Sequence, residues 1–235
     1  MSEIVRGVVI KEVYTGEADK IITVMAKDIG KVSISCRGSR KPKSKTVSGT
    51  TLFTYADFNI YTGMKFYKLN SVDIIKSFYD LSYDYDKLVV ASYFVEVIDK
   101  VEFFDEENNN VLFLLIRAMQ ELIKNQDYKK VCAIFNIKLA QLLGFEPILD
   151  YCSLCGDIDV KFMYFGNEGI VCEKCNESFY LVDNNIKLIF EYVQSQDIKK
   201  IFSFESSAKI INLLYNITMK YINNHINIKV NSLNF

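Results

Sequence analysis

Four of the six cysteines in this 235-residue chain form two pairs, and each pair has two residues between its members. The pairs are Cys152 with Cys155 and Cys172 with Cys175, and sixteen residues separate them. A Cys-x2-Cys turn aims two thiolates at one point, and two such turns complete the tetrahedral four-sulfur shell of a zinc site. The spacing therefore predicts one Zn²⁺ bound by Cys152, Cys155, Cys172 and Cys175.

An iron–sulfur cluster and disulfide bonds are the other uses of such cysteines. The N-terminus lacks the features of a signal peptide, and no apolar run is long enough to span a membrane, so we expect a cytoplasmic chain in which disulfides rarely persist. The paired spacing favours zinc over iron. Four cysteines leave no coordination position for water, and the only histidine, His225, lies fifty residues beyond Cys175. We therefore interpret the site as structural rather than catalytic.

A second candidate site is a basic segment, residues 37–45, which carries five cations in nine residues. A flexible positive loop between two strands can follow a nucleic-acid backbone and release counterions from its phosphates. The alternative is a solvated charge run that keeps the protein soluble. The predicted phosphate contacts are Arg37, Arg40, Lys41, Lys43 and Lys45, with Lys20 and Lys27 as helpers. Aromatic residues that could offer stacking surfaces, although most of them belong to the core, are Phe53, Tyr55, Phe58 and Tyr61.

Motifs of enzyme chemistry are missing from the sequence. There is no Walker A pattern, no G-x-G-x-x-G, no H-E-x-x-H and no G-x-S-x-G. A single histidine gives base-catalysed nucleophilic schemes little to work with. A carboxylate-based metal-dependent nuclease stays open because Asp and Glu are abundant, but no pair of them stands out. We therefore expect binding rather than catalysis.

The distribution of charge along the chain is uneven, although the total is only −1. Residues 1–70 hold 12 Lys and Arg against 6 Asp and Glu, which gives +6. Residues 71–150 hold 8 against 14, which gives −6, and residues 151–235 hold 8 against 9, which gives −1. The pattern indicates an N-terminal part that meets a polyanion and a middle part that does not.

The N-terminal part is expected to be a β-barrel. Five β-rich segments occur within about 75 residues, and the clean alternation in residues 31–37 is typical of a half-buried strand. A turn at Thr62 and Gly63 separates the last two. Closing five strands removes exposed sheet edges, which favours an oligonucleotide-binding (OB) barrel over residues 1–78, although an SH3-like barrel also fits the count.

The remainder, residues 79–235, is expected to be an all-α domain, so the chain is α+β. Apolar residues recur at helical spacing from about residue 81, and three helices are predicted before Gly144, which supplies a C-cap. Two more are predicted at 186–194 and 210–221. The cysteines lie in an inserted knuckle at 149–178, and the helices on either side of it are expected to pack together.

These pieces together resemble the RecO family of bacterial DNA repair and recombination mediators. The resemblance covers nearly the whole chain in order. The segments that carry it are YTGEADK at 14–20, GK at 30–31, RGSRKPKS at 37–44, ASYF at 91–94, LLGFEP at 142–147, CSLCG at 152–156 and YINNH at 221–225.

The resemblance implies an OB-fold domain, a helical domain and a zinc knuckle inserted in the latter. It also implies a protein that binds single- and double-stranded DNA and anneals complementary strands without being an enzyme. With RecR, such a protein loads RecA onto strands coated by single-stranded-DNA-binding protein (SSB), whose C-terminal tail docks on the helical domain. The expected location is the bacterial cytoplasm, at the nucleoid. The alternatives are a zinc-ribbon RNA-binding regulator and a metal-dependent nuclease with an OB accessory domain.

Overall fold

Five strands close into a barrel in the computed structural model, which describes residues 2–61, 67–102, 107–124, 127–177 and 179–226. The neighbour order around the barrel is β1-β2-β3-β5-β4; every pair is antiparallel except β3 with β5. This confirms the expected five-stranded OB-type barrel, while the predicted turn at Thr62 and Gly63 lies outside the described residues. The strands are β1 (Ser2–Thr15), β2 (Asp19–Ala26), β3 (Gly30–Cys36), β4 (Thr54–Tyr61) and β5 (Tyr67–Ser77).

The barrel interior is filled by the inward residues of each strand, as period-two alternation requires. In β3, Val32, Ile34 and Cys36 are buried while the residues between them are at least partly exposed. Ile22 and Phe58 are wholly buried in the same cluster. Burying one such side chain contributes about 1.5–3 kcal/mol, so this cluster fixes the strands from which the basic segment projects.

Two helices, α1 (Tyr85–Lys100) and α2 (Asn108–Lys124), belong to the same compact unit as the barrel. The Lys31 ammonium donates to the backbone carbonyls of Asp99 and Val101 at 2.7 Å, and so caps the end of α1. Lys11 pairs with the Asp99 carboxylate at 2.7 Å. The boundary predicted at 78/79 marks where strands give way to helices, whereas the division between compact units falls between residues 124 and 127.

The second unit contains the remaining elements. Its helices are α3 (Tyr128–Leu142), α4 (Asn184–Ser195) and α5 (Ala208–Ile226), and its short strands are β6 (Met163–Phe165), β7 (Ile170–Cys172) and β8 (Tyr180–Val182).

Helices α3, α4 and α5, on either side of the knuckle, pack together in this unit as predicted, whereas α1 and α2, which were expected in the same bundle, belong to the barrel unit. Lys138 of α3 donates to three carbonyls at the end of α4, at 3.0–3.3 Å. The Tyr221 hydroxyl of α5 donates to the Phe145 carbonyl at 2.8 Å. Gly144 follows α3 with a φ of 77°, which is the left-handed C-cap conformation expected of it.

Candidate metal centre and basic loop

The four paired cysteines come together at one point of the second unit. Their sulfur atoms all lie within 4.8 Å of one another, and Cys155 Sγ is 3.8 Å from Cys172 Sγ. In a tetrahedral site with metal–sulfur bonds of about 2.3 Å, sulfurs are roughly 3.8 Å apart. The four side chains can therefore hold a metal ion, and an all-thiolate donor set suits a soft or borderline one.

Backbone amides near Cys152 favour the thiolate form that binds metals, whereas hydrogen bonds among the clustered cysteines raise the pKa of Cys155 and, to about 12, that of Cys175. The amide of Cys172 donates to Cys152 Sγ at 3.3 Å. Burial raises the pKa of Cys152, but hydrogen bonds from the amides of Cys172, Cys155 and Leu154 outweigh it and lower that pKa to about 6. Cys152 is therefore mostly ionised at neutral pH.

A glycine fixes the hairpin that carries the second pair. Gly169 has a φ of 136°, and a Cβ on it would stand 2.1 Å from the Ile148 carbonyl oxygen. Because the two segments approach so closely, the amide of Ile148 donates to the Glu168 carbonyl at 2.9 Å, and the amide of Ile170 donates to the Ile148 carbonyl at 2.8 Å. Strand β7, which ends at Cys172, is thereby held against the segment that leads into Cys152. The small sheet has the order β7-β6-β8, and β8 lies beyond the predicted end of the insert at 178.

The other two cysteines, Cys36 and Cys132, and the histidine, His225, are packing residues. Cys36 and Cys132 are wholly buried, and burial raises the pKa of both thiols, that of Cys36 to about 12. The His225 ring is half-buried and stacked on Phe145 at 5.0 Å between centroids, and its Nδ1 lies 2.9 Å from the Tyr221 carbonyl oxygen in the last turn of α5.

The basic loop, residues 37–45, presents all five of its cations to solvent. Its backbone is nevertheless held in place, which corrects the expectation of a flexible loop. Ser39 is buried, and its hydroxyl lies 2.8 Å from that of Thr46. The amide of Gly38 donates to the Asp19 carboxylate at 2.7 Å, and the amide of Arg40 donates to the Ala18 carbonyl at 2.9 Å. The cations therefore project from a fixed turn of chain.

An exposed aromatic ring beside the loop was missed in the sequence. The Arg40 guanidinium lies 4.3 Å from the centre of the Tyr14 ring, and Tyr14 is 65% exposed at the end of β1. Arg40 also donates to the Gly16 carbonyl at 3.3 Å. Of the aromatics predicted as stacking surfaces, Phe53 and Phe58 are buried, Tyr55 is half-buried and Tyr61 is exposed. The sequence signal that could have identified Tyr14 as an exposed ring is its position just before a turn.

The two helper lysines have different surroundings. Lys27 is exposed, with its ammonium 4.0 Å from the Asp28 carboxylate. Lys20 is 4% exposed, and its ammonium pairs with the Glu12 carboxylate at 2.7 Å. Glu12 also accepts the amide of Leu52 at 2.6 Å. The Lys20–Glu12 pair therefore joins β1, β2 and the chain before β4, and the charge of Lys20 is neutralised inside the protein.

Comparisons with known proteins find relatives that match nearly the whole chain. A family model described as "Recombination protein O N terminal" matches residues 1–78, and one described as "Recombination protein O C terminal" matches residues 82–234. The chain is 31% identical to the DNA repair protein RecO of Acetivibrio thermocellus over 97% of this chain and 94% of that one. It is 30% identical to the RecO proteins of Caldicellulosiruptor bescii and Clostridium acetobutylicum, each over 92% of this chain and 90% of the other. Within the described residues, no helix is long and apolar enough to cross a membrane.

Proposed function

Because the chain belongs to the RecO family of DNA repair proteins, we propose that it is a recombination mediator that acts by binding DNA rather than by catalysis. In this proposal it binds single- and double-stranded DNA, anneals complementary strands, and helps to load RecA onto SSB-coated single strands. The observation that carries the proposal is the set of five exposed cations on one fixed loop of the barrel unit. The proposed location is the cytoplasm, at the nucleoid.

The proposed phosphate contacts are the exposed cations of the basic loop and its surroundings. They are Arg37, Arg40, Lys41, Lys43, Lys45 and Lys27. Lys20 leaves this set because Glu12 already neutralises it in the interior. The loop backbone is pinned by Ser39 and Gly38, so little conformational entropy is lost when phosphates bind.

Annealing follows from the same charges. Two phosphate backbones repel each other, and bound cations within a Debye length, about 8–10 Å at physiological salt, reduce that repulsion. Contacts of this kind go to phosphates and carry no sequence information, so strands of any sequence can be paired. The exposed Tyr14 ring supplies a face on which an unpaired base can stack.

The cofactor in this proposal is one structural zinc ion, held by Cys152, Cys155, Cys172 and Cys175. The paired spacing and the mutual sulfur distances within 4.8 Å support it. Bound zinc would cross-link the knuckle. It would supply no reaction chemistry, because four thiolates leave no coordination position open for water or substrate.

The proposed partners are RecR and the C-terminal tail of SSB, with RecA engaged indirectly. They rest on family membership, and the tail would have to find a local cation in a region whose net charge is negative. Pull-down of purified RecR and SSB by the purified chain tests them. A shorter SSB without its tail is the matched control, and equal recovery of both SSB forms would contradict tail docking.

The basic loop can be tested by changing Arg40, Lys41 and Lys43 together to Ala. Loss of up to about three phosphate contacts should flatten the slope of log K against log salt on single strands by about 2, at roughly 0.7 per contact. Strand annealing should fall in parallel. Exposed substitutions cost no more than about 0.5 kcal/mol each, so the fold should persist. Fluorescence anisotropy over a salt series and an annealing assay measure both effects.

A matched control changes three exposed lysines of the second unit, Lys174, Lys200 and Lys209, to Ala. It should leave the slope and the annealing rate unchanged. A loop variant that binds and anneals like the parent would show that the loop only solvates the protein. In the same assays, tighter binding of RNA than of DNA would favour the RNA-binding regulator. Cleavage of duplex with Mg²⁺ or Mn²⁺ would favour the nuclease.

A further inference from the structure

Residues 154–162 of the knuckle include large apolar side chains that are exposed and do not belong to its apolar core. Leu154, Ile158 and Phe162 are 59%, 82% and 55% exposed, within nine residues of chain. The apolar core of the knuckle lies elsewhere, around Cys152 and Val171. Single exposed apolar side chains are ordinary, but three large ones in so short a segment direct attention to this surface as an interaction site.

Phe162 also lines a cavity of about 340 Å³ at this surface. That volume is at the lower end for small-ligand sites, which are about 300–1,000 Å³, and it has room for individual side chains of a peptide. The other lining residues are mostly charged: Asp157, Asp159, Lys161, Cys172, Glu173 and Lys174. The cavity therefore combines one apolar wall with an ionic rim.

The charge of the knuckle is negative. Residues 149–178 hold six Asp and Glu against two Lys, a net charge of −4. Four thiolates with one divalent ion would add roughly two further negative charges. Phosphate backbones are repelled by such a surface, so it differs in kind from the basic loop of the barrel unit.

We infer that this knuckle surface docks a segment of a partner protein in which an apolar side chain is flanked by Lys or Arg. The apolar side chain would enter the cavity against Phe162. The flanking cations would pair with Asp157, Asp159 and Glu173, three carboxylates that outnumber the two lysines in the same lining. Because the cavity is lined by Cys172, a member of the cysteine cluster, the surface is fixed in shape before the partner arrives.

The inference goes beyond the proposed DNA-binding function, since it concerns another unit and a protein partner. The test uses the full zinc-loaded chain and a fluorescein-labelled hexapeptide with a Leu-Phe centre and two lysines on each side. We expect this peptide to bind roughly tenfold more tightly than one with glutamates for lysines, and than one with a Ser-Ser centre. Fluorescence anisotropy measures all three.

Two variants locate the binding on the knuckle. Phe162→Ser removes the apolar wall, and Glu173→Lys inverts one charge of the rim; each should weaken the hexapeptide by about tenfold. Leu188→Ser, at a residue of α4 that is 51% exposed and outside the cavity lining, is the matched control and should change nothing. Zinc content and thermal midpoint report whether each variant is folded, and Glu173 is exposed enough to be replaced without disturbing packing.

Three results would overturn the inference. One is equal affinity for the Leu-Phe and Ser-Ser peptides, or no effect of either variant. Another is loss of single-strand DNA binding in Phe162→Ser, which would make the surface part of the nucleic-acid site. The third is concentration-dependent self-association of the chain that Phe162→Ser abolishes in sedimentation, which would make a second copy the occupant. Failure of the basic-loop prediction would leave all three readouts unaffected.

Discussion

At the scale of single residues, Lys20 shows how burial changes the role of a cation. Its ammonium is enclosed with the Glu12 carboxylate at 2.7 Å. Lys20→Met would leave Glu12 with an unpaired buried charge, which costs on the order of 3 kcal/mol, whereas replacing Glu12 by Gln in the same variant should restore part of the loss. Urea unfolding of the barrel unit measures the cost. Lys27→Met, at an exposed site, should change stability by less than about 0.5 kcal/mol.

The salt dependence of the proposed DNA binding would separate this structural role of Lys20 from phosphate binding. The slope for Lys20→Met should equal that of the parent wherever the variant is folded. A slope flattened by about 0.7 would show instead that Lys20 contacts phosphate.

Tyr14 is the residue on which we expect single-strand preference to depend, given the proposed DNA binding. Base stacking on an aromatic side chain contributes about 1–3 kcal/mol, so Tyr14→Ser should weaken single-strand binding by roughly 5- to 150-fold. The salt slope should stay the same because no charge is lost. Tyr83→Ser, at a ring that is 79% exposed on the same unit, is the control. Similar losses in both variants, or a changed slope in Tyr14→Ser, would contradict the assignment.

Residue type alone does not show that Lys20 is buried while the other cations are exposed. The alternation of inward and outward residues along β2 does show it. Ile22 and Val24 face the barrel interior, and Lys20 stands two residues before Ile22 on the same face of β2. The neighbour that neutralises it, Glu12, belongs to another strand, so the pairing depends on register and could not be read from local sequence. The contact of Arg40 with Tyr14 is hidden for the same reason, because it joins residues 26 positions apart.

At the scale of elements, the strands of the barrel were predictable because their alternation is long enough to be distinctive. The knuckle strands β6, β7 and β8 have only three residues each, which is too short for a period to appear. Spacing predicted the cysteine cluster without them, since two Cys-x2-Cys turns specify a site independently of the sheet. The hydrogen bonds that hold the basic loop could not be predicted from its composition, because they involve Asp19 at the start of β2 and Thr46 just after the loop.

Removal of one sulfur ligand tests the knuckle as an element. The purified parent should contain about one zinc per chain by elemental analysis. Cys155→Ser should lose zinc and lower the thermal midpoint of the second unit, because metal binding and folding are coupled there. DNA binding by the barrel unit should persist. Cys132→Ala, at a buried cysteine outside the cluster, should retain zinc, and iron with a visible absorption band in the parent would contradict the prediction.

At the scale of the whole molecule, the sequence change at residue 78 and the division between compact units do not coincide. The predicted boundary at residue 78 marks the end of strand periodicity, not a division between compact units. Helix α1 contacts the barrel through Lys11 and Lys31 at Asp99, and α2 contacts it through hydrogen bonds between Asn109 and Asp28. Hydrophobic periodicity identifies a helix and its buried face but not the element that covers it. The helical part of the chain is consequently shared between the two units.

Both units bury thiol or phenol groups in their protonated, uncharged form, so alkaline pH should destabilise each unit. In the second unit burial raises the pKa of Cys132, of Tyr221 and, to about 12, of Tyr215. In the barrel unit burial raises the pKa of Cys36 from 9.0 to about 12. Between these two values the unfolded thiol has lost its proton while the folded thiol keeps it. The unfolded state therefore binds fewer protons, and the free energy of unfolding falls as pH rises.

The slope of this loss for Cys36 is about 1.4 kcal/mol per pH unit above pH 9, which gives a direct experiment. The free energy of unfolding of the barrel unit is measured in urea at pH 8, 9.5 and 10.5 for the parent and for Cys36→Ala, with reductant present. At pH 8 the variant should be less stable by roughly 1 kcal/mol, since a small cavity replaces the sulfur. By pH 10.5 the difference should have vanished or reversed, because the variant has no thiol to ionise in its unfolded state. A difference that stays constant from pH 8 to 10.5 would show that Cys36 ionises equally in both states and is not sealed inside the barrel.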